Sequence, residues 1–104
     1  MSKRALVTGA DGFAGKVLCG HLAARGWQVR SCVLTGPDDS GSQIECDIRD
    51  RRQVDRMFEW AGEITHVFHL AAVTFIPETM TNPTLCMEAN VLGTINMVEA
   101  CRNF

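Results

Sequence analysis

The apolar positions change period several times along the chain, and each change marks an element. Arg4-Ala5-Leu6-Val7-Thr8 is a short β-branched-rich run that stops at Gly9, which predicts a first strand. From Gly12 the period lengthens. Ala14, Val17, Leu18 and Leu22 recur at helical spacing and Gly26 supplies the stop, so a helix is expected here. Gln28 to Leu34 reads as a second strand, Thr35 to Ser42 as a loop turning at Gly36-Pro37-Asp38-Asp39, and Gln43 to Cys46 as a short third strand. Asp50 is placed to cap a helix whose inner face is Val54, Met57, Phe58 and Ala61, closed by Gly62. His66 to Ala72 predicts a fourth strand. Its interior, Val67-Phe68-His69-Leu70-Ala71-Ala72, is nearly continuous apolar sequence, the pattern of a parallel strand covered on both faces. Asn82-Pro83 supplies a cap and a proline at the first helical position, and a long helix is expected from there to about Arg102.

Strands alternating with helices imply an α/β fold with parallel pairing and right-handed crossovers. The link from the second strand to the third is loop alone, which makes that crossover the weakest part of the expected topology. The last helix is apolar on two sides, with Leu85, Ala89 and Leu92 along one stripe and Met87, Val91, Ile95 and Val98 along another. A helix of this kind expects two partners. One is the sheet, and the other is a missing half of the domain or another chain. The fourth strand would also be an open edge where a fifth should pair. The chain is therefore expected to be a homo-oligomer or only marginally stable. The ending, Glu99 to Phe104, stops at a helix end with no closing strand and reads as a cut.

Composition narrows the function more by exclusion. A chain of 104 residues, 46% hydrophobic and 21% charged, fits one ordinary globular domain. The net charge is −2 and the ten Lys and Arg are scattered, so no nucleic-acid footprint is present. No apolar run approaches the roughly 20 residues of a membrane span, and no signal peptide is legible, so a cytoplasmic protein is expected. The five cysteines include no C-x-x-C pair, which argues against a disulfide framework and a zinc site and predicts reduced, mostly buried thiols. His66 and His69, three apart on a strand, face opposite sides and are not a metal pair. His69 reads as a packed, hydrogen-bonded strand residue and His21 as structural. Asn90, unfavourable in a helix interior, is expected to bond a neighbouring loop or strand.

The segment that carries chemistry is Thr8-Gly9-Ala10-Asp11-Gly12-Phe13-Ala14-Gly15, a T-G-x-x-G-x-x-G spacing between a strand and a helix. Gly9 permits the tight turn, Gly12 lets backbone approach a pyrophosphate, and Gly15 lets the helix pack close to the sheet. The first amides of the helix are free to bind the anion. A P-loop reading built on Gly15-Lys16 fails, because Ala10 stands at the first glycine and Val17 at the hydroxyl that would ligate magnesium.

These residues resemble the glycine motif of the extended short-chain dehydrogenase/reductase family, the NAD-dependent epimerases, dehydratases and reductases that act on sugar nucleotides. Three further segments carry the resemblance: Asp47-Ile48-Arg49-Asp50, similar to the family's D-[hydrophobic]-x-D; His69-Leu70-Ala71-Ala72, similar to its H-L-A-A; and Asn90-Val91-x-Gly93-Thr94-x-Asn96, similar to its N-V-x-G-T-x-N. The resemblance implies a partial Rossmann fold with sheet order 3-2-1-4, flanked by helices and lacking the C-terminal strands, as a single domain over residues 1–104. It implies a cofactor site of Gly9, Asp11, Gly12, Phe13, Gly15, Asp47, Ile48, Leu70, Ala71, Ala72 and Thr74, with Asp47 at the adenine amino group. In the family a Tyr-x-x-x-Lys is the catalytic base pair, and this chain contains no tyrosine. The expectation is the NAD(P)-binding part of a sugar-nucleotide enzyme, with no catalytic or metal-ligating residue of its own. The alternative is a non-enzymatic module that binds or senses the dinucleotide. NAD or NADP is left open. Where an acid usually holds the ribose hydroxyl stands Cys32-Val33-Leu34-Thr35, and Arg30 is expected to point to a sheet face instead.

Overall fold

The computed structural model describes residues 3–71 and 81–104; the expected site residues Ala72 and Thr74 lie outside them. The elements are β1 (Arg4–Thr8), α1 (Phe13–Ala24), β2 (Gln28–Val33), β3 (Gln43–Glu45), α2 (Arg51–Ala61), β4 (His66–His69), α3 (Pro83–Met87), a π-helical turn (Glu88–Leu92) and α4 (Gly93–Asn103). The four strands form one parallel sheet in the order β3-β2-β1-β4. The loop between β2 and β3 contains no helix, as expected, yet it delivers a parallel register with Cys32 opposite Ile44. Main-chain bonds from Ser31 N to Ser42 O and from Cys46 N to Val33 O, both 2.9 Å, hold both ends of that register.

Two cores follow from the alternation along β1. Leu6 faces one side, with Cys32, Ile48, Val54, Met57, Phe58, Met97 and Ala100 under α2 and α4. Ala5 and Val7 face the other, with Ala10, Leu22 and Val33 under α1. Leu6, Met57 and Met97 are among the largest fully buried side chains, and each contributes about 1.5–3 kcal/mol of transfer free energy. The α2 face is as read from the sequence, and both caps form: Asp50 accepts from Arg52 N, and Asn82 from Leu85 N.

Three expectations need correction. First, α1 turns a different side inward. Ala14 and Val17 are exposed, whereas Gly15 and Leu22 are buried with Leu18 and Cys19 packed nearby. The phase is set by Gly15, which sits against the main chain of Gly9 and Ala10.

Second, β4 ends at His69 and is only half-covered, instead of continuing through Ala72 buried on both faces. The amides of Leu70 and Ala71 leave the ladder and donate to Thr8 Oγ1, at 2.9 and 3.0 Å.

Third, the last helix is not continuous. A π turn inserts a residue, rotating the residues beyond it by about 100° relative to an unbroken helix. Leu92 is consequently exposed, and the residues buried in this segment are Cys86, Gly93, Asn96, Met97 and Ala100. The stripe Met87, Val91, Ile95 and Val98 is exposed, 47–61% each. Asn96 reaches the loop after β3 from the buried side, its Nδ2 donating to Ile48 O at 2.8 Å. Of the cysteines, Cys32, Cys46 and Cys86 are buried, Cys19 is half-buried and Cys101 is exposed.

Two substitutions test this packing. A Cβ at Gly93 would lie 2.6 Å from Ile48 Cδ1, so Gly93→Val is expected to lower stability by about 1–3 kcal/mol in urea unfolding. Thr8→Val strands two amides and is expected to lose about 1–3 kcal/mol, whereas Thr8→Ser stays near the wild type. Equal midpoints for Thr8→Val and Thr8→Ser would contradict the role given to the hydroxyl.

Candidate functional site

A cleft of about 710 Å³ opens at the C-terminal ends of the strands. Gly9, Asp11, Gly12, Phe13 and Gly15 line it from the β1–α1 turn, Asp47 and Ile48 from the loop after β3, and Leu70 and Ala71 from the end of β4. The fold thus gathers all the expected cofactor residues among those described. It adds Cys32 and Leu34 from the end of β2, Arg49 beside Asp47, and Leu85 and Ala89 from the last helical segment. Leu85 and Ala89 were visible only as a helix stripe, and nothing local marks that stripe as a cleft wall.

The three glycines of the turn differ in what demands them. Gly9 has φ +66°, and a Cβ there would lie 2.8 Å from Ala71 N. At Gly15 it would lie 2.2 Å from Gly9 O. Both are required by the fold itself. Gly12 is extended, at φ −75° and ψ 169°, and a Cβ there would touch only Gly9 O at an ordinary 3.4 Å. Among the described residues nothing requires a glycine at this position, which borders the cleft.

The start of α1 has no side-chain cap. Gly12 caps it without a side-chain bond, and the first turn holds no acid. The first helical donor is Lys16 N, to Gly12 O at 3.0 Å, so the amides of Phe13, Ala14 and Gly15 have no intrahelical partner. Phe13, 89% exposed, stands at the rim.

The charges at the other end are paired. The Asp47 carboxylate accepts from Arg49 N at 3.0 Å, Nε at 2.9 Å and Nη2 at 2.6 Å. Hydrogen bonds from the Arg49 side chain, opposed in part by burial, hold the Asp47 carboxyl below the usual carboxylate range. The Asp47 amide donates to Gln53 Oε1 at 2.8 Å, which fixes the loop. Beneath this loop Cys32 stays protonated, pushed up by the neighbouring Cys46 sulfur and by burial. Arg30 turns away, as expected, and stacks over Trp60 at 5.6 Å. Asp38 is not at the cleft. It lines a separate cavity beside α1 with Lys16, Cys19 and Gln43, where its carboxylate accepts from Ser40. Among the described residues no group of three His, Cys, Asp or Glu could hold a metal ion. No helix there is long and apolar enough to cross a membrane.

The profile of the NAD dependent epimerase/dehydratase family matches residues 5–104. UDP-glucuronate 4-epimerase 3 of Arabidopsis thaliana is 32% identical over 94% of this chain and 26% of its own length. GDP-6-deoxy-D-mannose reductase of Pseudomonas aeruginosa is 31% identical over 98% of this chain and 30% of its own. The crystal structure of Thermus thermophilus UDP-glucose 4-epimerase in complex with NAD superposes with a TM-score of 0.82 at 34% identity, covering 96% of this chain and 34% of that one. The chain thus spans about a third or less of the length of these relatives. A family match across nearly every described element, on a parallel sheet whose strand ends bring the motif residues to one cleft, shows that the chain belongs to the NAD dependent epimerase/dehydratase family.

Proposed function

We propose that this chain is the dinucleotide-binding portion of an enzyme that epimerises, dehydrates or reduces a sugar nucleotide, and that it forms a single cofactor domain over residues 1–104. The observation that carries the reading is Gly12, a glycine that no described neighbour demands, set beside three helix amides without an intrahelical partner at the rim of the cleft. A pyrophosphate fits there because bare backbone can approach it and the amides can donate to it. Gly9, Gly12, Phe13 and Gly15 hold the phosphates, Asp11 and the Asp47–Ile48 loop hold the adenosine half, and Leu70 and Ala71 border the nicotinamide half. When bound, the dinucleotide supplies a hydride acceptor. The chain has no tyrosine, so on its own it is expected to show no epimerase or dehydratase activity.

Electrostatics favours NAD over NADP. The ionisable groups lining the cleft are Asp11, Asp47 and Arg49 besides the thiols, and Arg49 is already forked onto Asp47. Among the described residues that line the cleft, a 2′-phosphate would meet net negative charge and no cation but the paired Arg49. The exposed stripe Met87, Val91, Ile95 and Val98 is read as the contact face of a second copy, making the protein a homo-oligomer.

Calorimetric titration is expected to give saturable binding of NAD, with NADP at least about tenfold weaker, a difference of roughly 1.4 kcal/mol. Gly12→Val should weaken NAD by a similar factor or more while its melting temperature stays at the wild-type value. Binding that survives Gly12→Val would refute the placement of the phosphates. In sedimentation the chain is expected to run as an oligomer and Ile95→Glu as a smaller species; a monomeric wild type would count against the contact face.

A further inference from the structure

The hydrogen bonds around His69 form a chain whose proton positions follow from counting donors and acceptors. Thr8 Oγ1 accepts from Leu70 N at 2.9 Å and Ala71 N at 3.0 Å, which fills both lone pairs of a hydroxyl. Its own proton goes to the remaining neighbour, His69 Nδ1, 2.8 Å away. Nδ1 is therefore an acceptor. A neutral ring then carries its proton on Nε2 and donates to Thr94 Oγ1 at 3.1 Å. The Thr94 hydroxyl donates in turn to Asn90 O at 2.8 Å, and a carbonyl can only accept. The two ends of the chain are fixed independently, and both require the same tautomer.

A second proton on this ring has no place. An Nδ1–H would point at an oxygen whose lone pairs are already taken. Among the described residues the ring faces Thr8 from β1 and Thr94 from α4, and no ionised side chain contributes to its titration. Burial alone pulls the His69 pKa below its ordinary value, and the missing acceptor acts in the same direction.

We propose that His69 is a positioning residue of the cleft: a neutral Nε2–H imidazole that ties the end of β1, the Leu70–Ala71 wall and the last helix into one unit. Its bearing on cofactor affinity rests on the function proposed above, but its tautomer and its hold on the wall do not. Because the folded-state pKa is lowered, the contribution of the neutral ring is complete above the unfolded value of about 6.5. It is lost as pH falls through the lower folded value.

The test is long-range proton–nitrogen NMR of the imidazoles of the ¹⁵N-labelled chain between about pH 5 and pH 8. His69 is expected to show the Nε2–H pattern and to stay neutral at pH values where a free imidazole is half-protonated. An Nδ1–H pattern, or titration at or above about 6.5, overturns the proposal. Amide exchange supplies a readout of the positioning that needs no cofactor. His69→Phe should lose at least about tenfold in protection at Leu70 and Ala71, matching roughly one net hydrogen bond. His69→Asn, whose Oδ1 can still accept from Thr8, should recover part of it. Unchanged protection in His69→Phe overturns the positioning role. Failure of the wild-type chain to bind NAD would count against the cofactor reading and leave the tautomer and exchange outcomes to decide this one.

Discussion

The buried hydroxyl of Thr8 holds together the parts that make the cleft. It sits at the last position of β1, fully buried, and takes the two amides that β4 would otherwise offer to a neighbouring strand. A hydroxyl can do this only by turning its own proton elsewhere, and His69 receives it. One side chain therefore ends β4, sets the course of Leu70 and Ala71 along the cleft, and connects both to the last helix through His69 and Thr94. Burying so many polar groups is tolerable only because each has its partner.

The glycine turn divides its labour between fold and ligand. Gly9 and Gly15 are needed because the backbone of β4 and the entry of α1 come too close for any Cβ. These two contacts place the first turn of α1, so they also fix where its open amides point. Gly12 is free of such pressure from the described residues. At the opposite end Asp47 and Arg49 neutralise each other, so the cleft keeps little charge of its own beyond Asp11. In the proposed function such a cleft would hold a dinucleotide mainly through oriented backbone donors and apolar walls.

Much of this was legible in the sequence where a period or a local chemical rule governs. The inner face of α2 and both side-chain caps depend on residues close in sequence, and they came out as read, whereas the strand order followed from the family resemblance. What escaped depends on contacts between distant residues. The phase of α1 is set by Gly15, which has no side chain and so adds nothing to a hydrophobic pattern. The early end of β4 is decided by a threonine about sixty residues away, a competition no local propensity contains. The π turn brings Gly93 against Ile48 and Asn96 onto the Ile48 carbonyl, both tertiary demands on a sequence that locally reads as plain helix. The expected cofactor residues that are described line one cleft because the glycine motif encodes the backbone path itself.

The central claim is that the cleft at the strand ends, and not the cavity beside α1, receives a dinucleotide on the glycine turn. Mapping amide chemical shifts of the ¹⁵N-labelled chain during NAD addition tests it most directly. The account predicts saturable shifts at Gly9, Gly12, Phe13, Gly15 and the Asp47–Arg49 loop, with Gly20, Ser42 and Gln43 unmoved. Shifts centred on the latter group, or none at the glycine turn of a folded chain, would contradict it.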